Sequence, residues 1–91
     1  MSTIKIKRRH RLGRAKARER VQEVANSLQD KLNAKWSWQG DSLSFQRSGA
    51  SGSVDVGEDY VEFNIKLSML LTPMKGSIEQ AIENEIDQAL S

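Results

Sequence analysis

The sequence predicts an α+β fold in the order β-α-β-β-β-β-α, an antiparallel sheet with two helices packed on one face. Three observations lead there. Short segments with period-two alternation of apolar and polar residues follow one another through the middle of the chain. Two longer segments, one early and one at the end, carry apolar residues at spacings of three and four. Short turn signals separate the strands, which favours antiparallel neighbours over crossover connections.

The elements follow in chain order. Thr3 to Arg9 alternates, with Ile4 and Ile6 on one face and Lys5 and Lys7 on the other. Lysine on an exposed strand face discourages sheet-to-sheet aggregation. From about Gly13 to Asn33, Ala17, Val21, Val24, Ala25, Leu28 and Leu32 form one helical stripe. The opposite face carries Lys16, Arg20, Glu23, Asn26 and Asp30. The first turns of this helix are basic, which opposes the helix dipole and calls for a neighbouring acid or a use for the cations. Lys35 to Gln39 places Trp36 and Trp38 on one face, Gly40-Asp41 fits a two-residue hairpin turn, and Ser42 to Arg47 places Leu43 and Phe45 together. The cluster Ser48 to Ser53 reads as a loop. Ser53 to Val56 is then a short strand and Gly57-Glu58-Asp59 a turn. Tyr60 to Leu71 reads as the longest strand, with Val61, Phe63, Ile65, Leu67 and Met69 on its packed face. A last helix opens with Thr72 as N-cap and Pro73 in its first turn, or alternatively after Gly76 with Ser77 to Gln80 as a capping box. Its apolar row is Met74, Ile78, Ile82, Ile86 and Leu90, widened by Ala81 and Ala89.

Length and composition bound the rest. Ninety-one residues support one domain over residues 1–91, and a hydrophobic fraction of 37% with 5% aromatics makes a thin core. The absence of cysteine removes disulfides, thiolate nucleophiles and thiolate metal sites. No signal-peptide pattern and no apolar run long enough to cross a bilayer is present, so a cytoplasmic protein is expected. The formal net charge of +2 conceals a division. Residues 1–20 hold nine basic groups and one acid, hence +8, and residues 21–91 hold five basic groups and eleven acids, hence −6.

Few residues suggest chemistry. His10 is the one histidine, flanked by Arg8, Arg9 and Arg11, which disfavour a bound cation; a structural or surface role is expected for it. Glu79, Glu83 and Asp87 make an acidic row at spacing four, the pattern of a solvated helix face. The basic segment is the strongest signal. Arg8, Arg9, Arg11, Arg14 and Arg18 suit a polyanion or an anionic surface, or else the acidic flank of the last helix. Aromatics for base stacking are missing from that segment. Trp36 and Trp38 belong either to the core or to an apolar contact surface.

Four stretches carry a resemblance. They are His10-Arg11-Leu12-Gly13 with Ala17, then Trp38-Gln39-Gly40-Asp41-Ser42-Leu43-Ser44-Phe45, then Gly52-Ser53-Val54-Asp55-Val56, and Leu71-Thr72-Pro73-Met74-Lys75-Gly76-Ser77-Ile78-Glu79. Together they resemble the small bacterial polyhydroxyalkanoic acid system proteins of the granule-region family, over essentially the whole chain. The Pro-x-Lys-Gly-x-Ile-Glu run is the most specific part. The resemblance implies association with polyhydroxyalkanoate storage; it carries over no catalytic residue, cofactor or metal. The expected function is that of a non-enzymatic accessory or regulatory protein, in contact with the polyester granule surface or its proteins through Arg8, Arg9, Arg11, Arg14, Arg18, Trp36 and Trp38. A small lipid or acyl carrier, with its ligand between helices and sheet, is the alternative; a basic nucleic-acid-binding regulator ranks third. The matching glycines and Pro73 are expected to meet backbone requirements, Lys75 and Glu79 to pair weakly along the helix, and a dimer is one option for the assembly.

Overall fold

The computed structural model describes residues 2–90, with Lys31 and Leu32 described by their backbone only. The elements are β1 (Ser2–Arg9), α1 (Arg14–Leu32), β2 (Lys35–Gln39), β3 (Ser42–Arg47), β4 (Ala50–Val56), β5 (Tyr60–Leu67), a 3-10 turn (Thr72–Met74) and α2 (Lys75–Leu90). The five strands form one antiparallel sheet in the order β1-β5-β4-β3-β2. The α+β order read from the sequence is therefore the observed one.

Strict alternation puts every second residue on the helix-covered face. Ile4 and Ile6 of β1, Val61, Phe63, Ile65 and Leu67 of β5, Val54 and Val56 of β4, and Leu43 and Phe45 of β3 are all buried there. From the helices come Ala17, Val21, Val24, Ala25, Leu28, Ile82 and Ile86. These residues form one continuous cluster, against which Trp36, Trp38, Leu71, Ile78, Ala89 and Leu90 pack at the margins. Leu32, assigned to the same stripe, lies outside the residues whose side chains are described. The other sheet face is polar throughout, and its middle row runs Ser37, Ser44, Ser53, Asn64, Lys5 across all five strands.

Three expectations are corrected. The Ser/Gly cluster is not a loop: only Ser48-Gly49 turns, with Gly49 at φ 87°, and β4 already begins at Ala50. Gly52 lies inside that strand because the backbone of β5 and the ring of Phe45 fill the space where a Cβ would sit. Second, β5 ends at Leu67, four residues early, and is no longer than β1. The Ser68 carbonyl accepts the N–H groups of Leu71 and Thr72, at 3.1 Å each, and this turn rotates Met69 off the packed face into solvent. Third, Thr72 does not cap α2. Its hydroxyl donates back to the Ser68 carbonyl at 3.0 Å, and a 3-10 turn with Pro73 in its first positions leads into the helix at Lys75. Met74 consequently precedes the helix, and Ala81 is exposed, so the apolar stripe of α2 is Ile78, Ile82, Ile86, Ala89 and Leu90.

Candidate functional site

The basic segment is where sequence points first, and the structure divides it. Arg8 lies on the helix-covered face of β1, where its guanidinium reaches Glu83 at 3.4 Å and Asp87 at 3.2 Å. The acidic row of α2 is thus partly a partner for β1 rather than a solvated face. Arg9, on the opposite face, reaches Asp59 at 3.4 Å. Arg14 and Arg18 both approach Asp41 in the β2–β3 turn, at 3.5 and 3.8 Å. This one carboxylate answers the dipole conflict of α1, whose first turn holds no acid of its own and whose N-cap, Gly13, supplies no side chain. Arg20 donates to the Ala89 carbonyl at 3.1 Å, placing a cation at the negative end of α2. Arg11 is exposed and makes no ion pair among the described residues. The pairs are partly solvated, so each stabilises the fold by only ~0–1 kcal/mol. Their effect is chiefly on direction, since they turn four of the five arginines toward carboxylates of the same chain.

His10 is buried, and both its ring nitrogens are occupied. Nδ1 accepts the Leu12 N–H at 3.1 Å, and Nε2 donates to the Tyr60 carbonyl at 3.2 Å. That pattern requires the neutral imidazole and locks the corner between β1 and α1. His10→Ala leaves the Leu12 N–H without its partner, while the Tyr60 carbonyl keeps the Gly57 N–H at 2.9 Å, and a loss of about 1–2 kcal/mol is expected in chemical denaturation. A loss below about 0.5 kcal/mol would mean that water replaces the ring at no cost.

The tryptophans lie on edge strand β2 and face inward. Trp36 stacks on Phe45 with ring centroids 4.9 Å apart. Trp38 donates its indole N–H to Gln22 of α1 at 2.7 Å, and the Arg18 guanidinium lies 4.6 Å from its ring centre. They close the margin of the core under α1, each half-buried.

Sequence reasoning missed a different feature. Among the described residues, the exposed large hydrophobic side chains are Met69, Leu70 and Met74, at 78%, 80% and 54% of full exposure, and all three stand in one six-residue stretch between β5 and α2. The stretch is tied down. Leu71 packs inward beside Gly49, the Ser68 N–H donates to the Gly49 carbonyl at 2.8 Å, and Ser2 donates to the Thr72 hydroxyl at 3.2 Å. The signal in the sequence was the break in alternation at Leu70, three residues before Pro73, a residue that cannot donate to a ladder. Beside Met69 lies an open hollow of about 650 Å³, whose lining includes Lys35, Gln46, Arg47, Ser51 and Lys66 and no carboxylate. Among the described residues, by contrast, two gaps between helices and sheet measure about 10 and 20 Å³, room for one water each at most.

Comparison with family models decides the kinship. Residues 4–90 match the family described as "Putative polyhydroxyalkanoic acid system protein". The chain belongs to that family. No curated protein and no solved structure matches it. Most of the stretches in which the chain resembles these polyhydroxyalkanoic acid system proteins do structural work here. His10 and Gly13 shape the first corner, Asp41 holds Arg14 and Arg18, and Asp55 accepts the Ser42 hydroxyl at 2.8 Å. Gly76 is an exception. It has ordinary helical geometry, and nothing lies within 4 Å of the place a Cβ would take, so no backbone requirement explains it. Lys75 and Glu79 do not pair among the described residues, contrary to expectation.

Proposed function

We propose that this member of the family is a non-enzymatic accessory protein of polyhydroxyalkanoate storage that works by contact, with its outer surface against the granule or the proteins on it. The observation that carries this reading is the filled layer between helices and sheet, where gaps of 10 and 20 Å³ leave no space for an acyl chain. That counts against the carrier alternative and directs attention outward. His10 supports the same view, since both its nitrogens are engaged with backbone. The nucleic-acid reading draws less support, because Arg8, Arg9, Arg14 and Arg18 face carboxylates of their own chain. Among the described residues, no helix is long and apolar enough to cross a membrane.

The experiment is co-sedimentation of the purified protein with polyester granules, in one arm bearing their coat proteins and in the other stripped of them. The protein is expected in the pellet in at least one arm, and the arm identifies whether polymer surface or coat protein is the partner. Recovery in the supernatant of both arms would defeat the reading.

A further inference from the structure

We infer that the connection between β5 and α2 is a docking element for an anionic lipid surface: Met69, Leu70 and Met74 enter the apolar layer while Lys35, Arg47 and Lys66, around the adjoining hollow, take the headgroups. The inference deepens the contact reading above and rests on it only for the premise that the outer surface does the work.

Two separate observations carry it. The first is the apolar tip. Single exposed hydrophobic side chains are ordinary on a protein surface, but here three large ones cluster within six residues. The tip is also held in place. The Ser68 carbonyl gathers two backbone N–H groups and the Thr72 hydroxyl, and Leu71 anchors the segment from beneath. Met69 and Leu70 are therefore presented outward by a fixed turn.

The second observation is the charge beside it. Lys35, Gln46, Ser51 and Lys66 occupy one transverse row of the open sheet face, each directly across from the next. Three strand spacings separate the two lysines, roughly 14 Å, with only an amide and a hydroxyl side chain between them. Arg47 borders the same hollow. The carboxylates of the open face, Asp55 and Glu62, sit in the row Gln39, Ser42, Asp55, Glu62, Lys7 near the other end of the strands. That row is four residues along each strand from the lysine row, roughly 13 Å, which exceeds the screening length of about 8 Å at physiological salt. The hollow is thus locally cationic although the whole face is mixed. An apolar tip next to a cationic hollow is the complement of an interface with hydrocarbon below and negative headgroups above. A second copy of the chain answers it less well, because the same cationic hollow would face itself across a two-fold axis.

The test uses the full chain with vesicles of phosphatidylcholine alone and of phosphatidylcholine with 30 mol% phosphatidylglycerol. Sedimentation with the anionic vesicles is expected, and weaker sedimentation with the neutral ones. The variant Met69→Ser/Leu70→Ser/Met74→Ser should lose at least tenfold in affinity with an unchanged melting curve, since none of the three side chains is buried. Lys35→Gln and Lys66→Gln should each weaken anionic binding about fivefold. Because the chain has no cysteine, Leu70→Cys carries a single environment-sensitive dye, whose emission should shift to the blue on anionic vesicles. The same dye on Ser37→Cys, at the β2 edge of the open face, should not shift. Failure of the wild-type chain to bind anionic vesicles overturns the inference, as does binding that the triple serine variant retains. Binding to lipid-free polyester without binding to vesicles also overturns it, while leaving the contact function standing. A dimer abolished by the triple variant would assign the tip to a second copy and overturn it as well.

Discussion

Phe63→Ala is expected to cost about 3–5 kcal/mol, the largest loss from any single truncation in this chain. Phe63 is the largest fully buried side chain, at the centre of β5, with Ile6 of β1 opposite it on one side and Val54 of β4 on the other. It also meets the point where Val21 and Val24 of α1 and Ile86 of α2 converge. Its removal opens a void that both sheet neighbours and both helices would have to shift to fill. A chain of this length has a total stability of about 5–14 kcal/mol, so the variant sits near the limit of folding. In urea, the transition midpoint should fall by about 2 M or more with an unchanged slope. A loss below about 1 kcal/mol would show that the layer collapses around the gap.

Gly52→Ala is the second. A Cβ at this position would lie well inside contact distance of the Asn64 carbonyl oxygen, and 2.9 Å from both Ile65 Cα and the Phe45 ring. Two of these three obstacles are backbone of β5, which is hydrogen-bonded on both sides and has nowhere to retreat. Overpacking of this kind costs about 3 kcal/mol, a fall in melting temperature of roughly 12 °C or more for a domain of this size. A melting temperature within about 3 °C of wild type would mean that β4 and β5 separate freely. The contrast is Gly57, where the nearest obstacle to an added Cβ is the Tyr60 ring, a side chain rather than backbone.

Most of the fold is legible in the sequence because the sheet has one wet face. Alternation gives β2 and β3 to the residue, and Gly40, at φ 63°, makes the hairpin turn its sequence suggests. The errors share a cause. Gly52 and its serine neighbours carry the composition of a loop, yet a strand needs a glycine there because of residues 64 and 65, which are remote in sequence. Met69 continues the alternation of β5, yet the strand stops two residues earlier because Ser68 turns the chain. In both places a tertiary neighbour overrides a local pattern. The candidate site follows the same rule. The cations near the start of the chain are plain in the sequence, but their partners, Asp41, Asp59, Glu83 and Asp87, lie 23 to 79 residues away along the chain. The tip was hidden because its exposure depends on where β5 ends.

The pairing of β1 with β5 has a kinetic consequence. Residues paired within the β2–β5 meander are separated by at most 17 positions, from Ala50 to Leu67, whereas β1 pairs with β5 across 51 to 65. The meander can therefore close through small loops, while joining β1 costs the entropy of a long one. Of the five strands of this sheet, the first to be made is thus the one that must wait for the last. During that delay its Ile4 and Ile6 are uncovered, and Lys5, Lys7, Arg8 and Arg9 hold other nascent strands at a distance. The four cations of β1 accordingly act before the sheet is complete, guarding an unpaired strand until its partner is made.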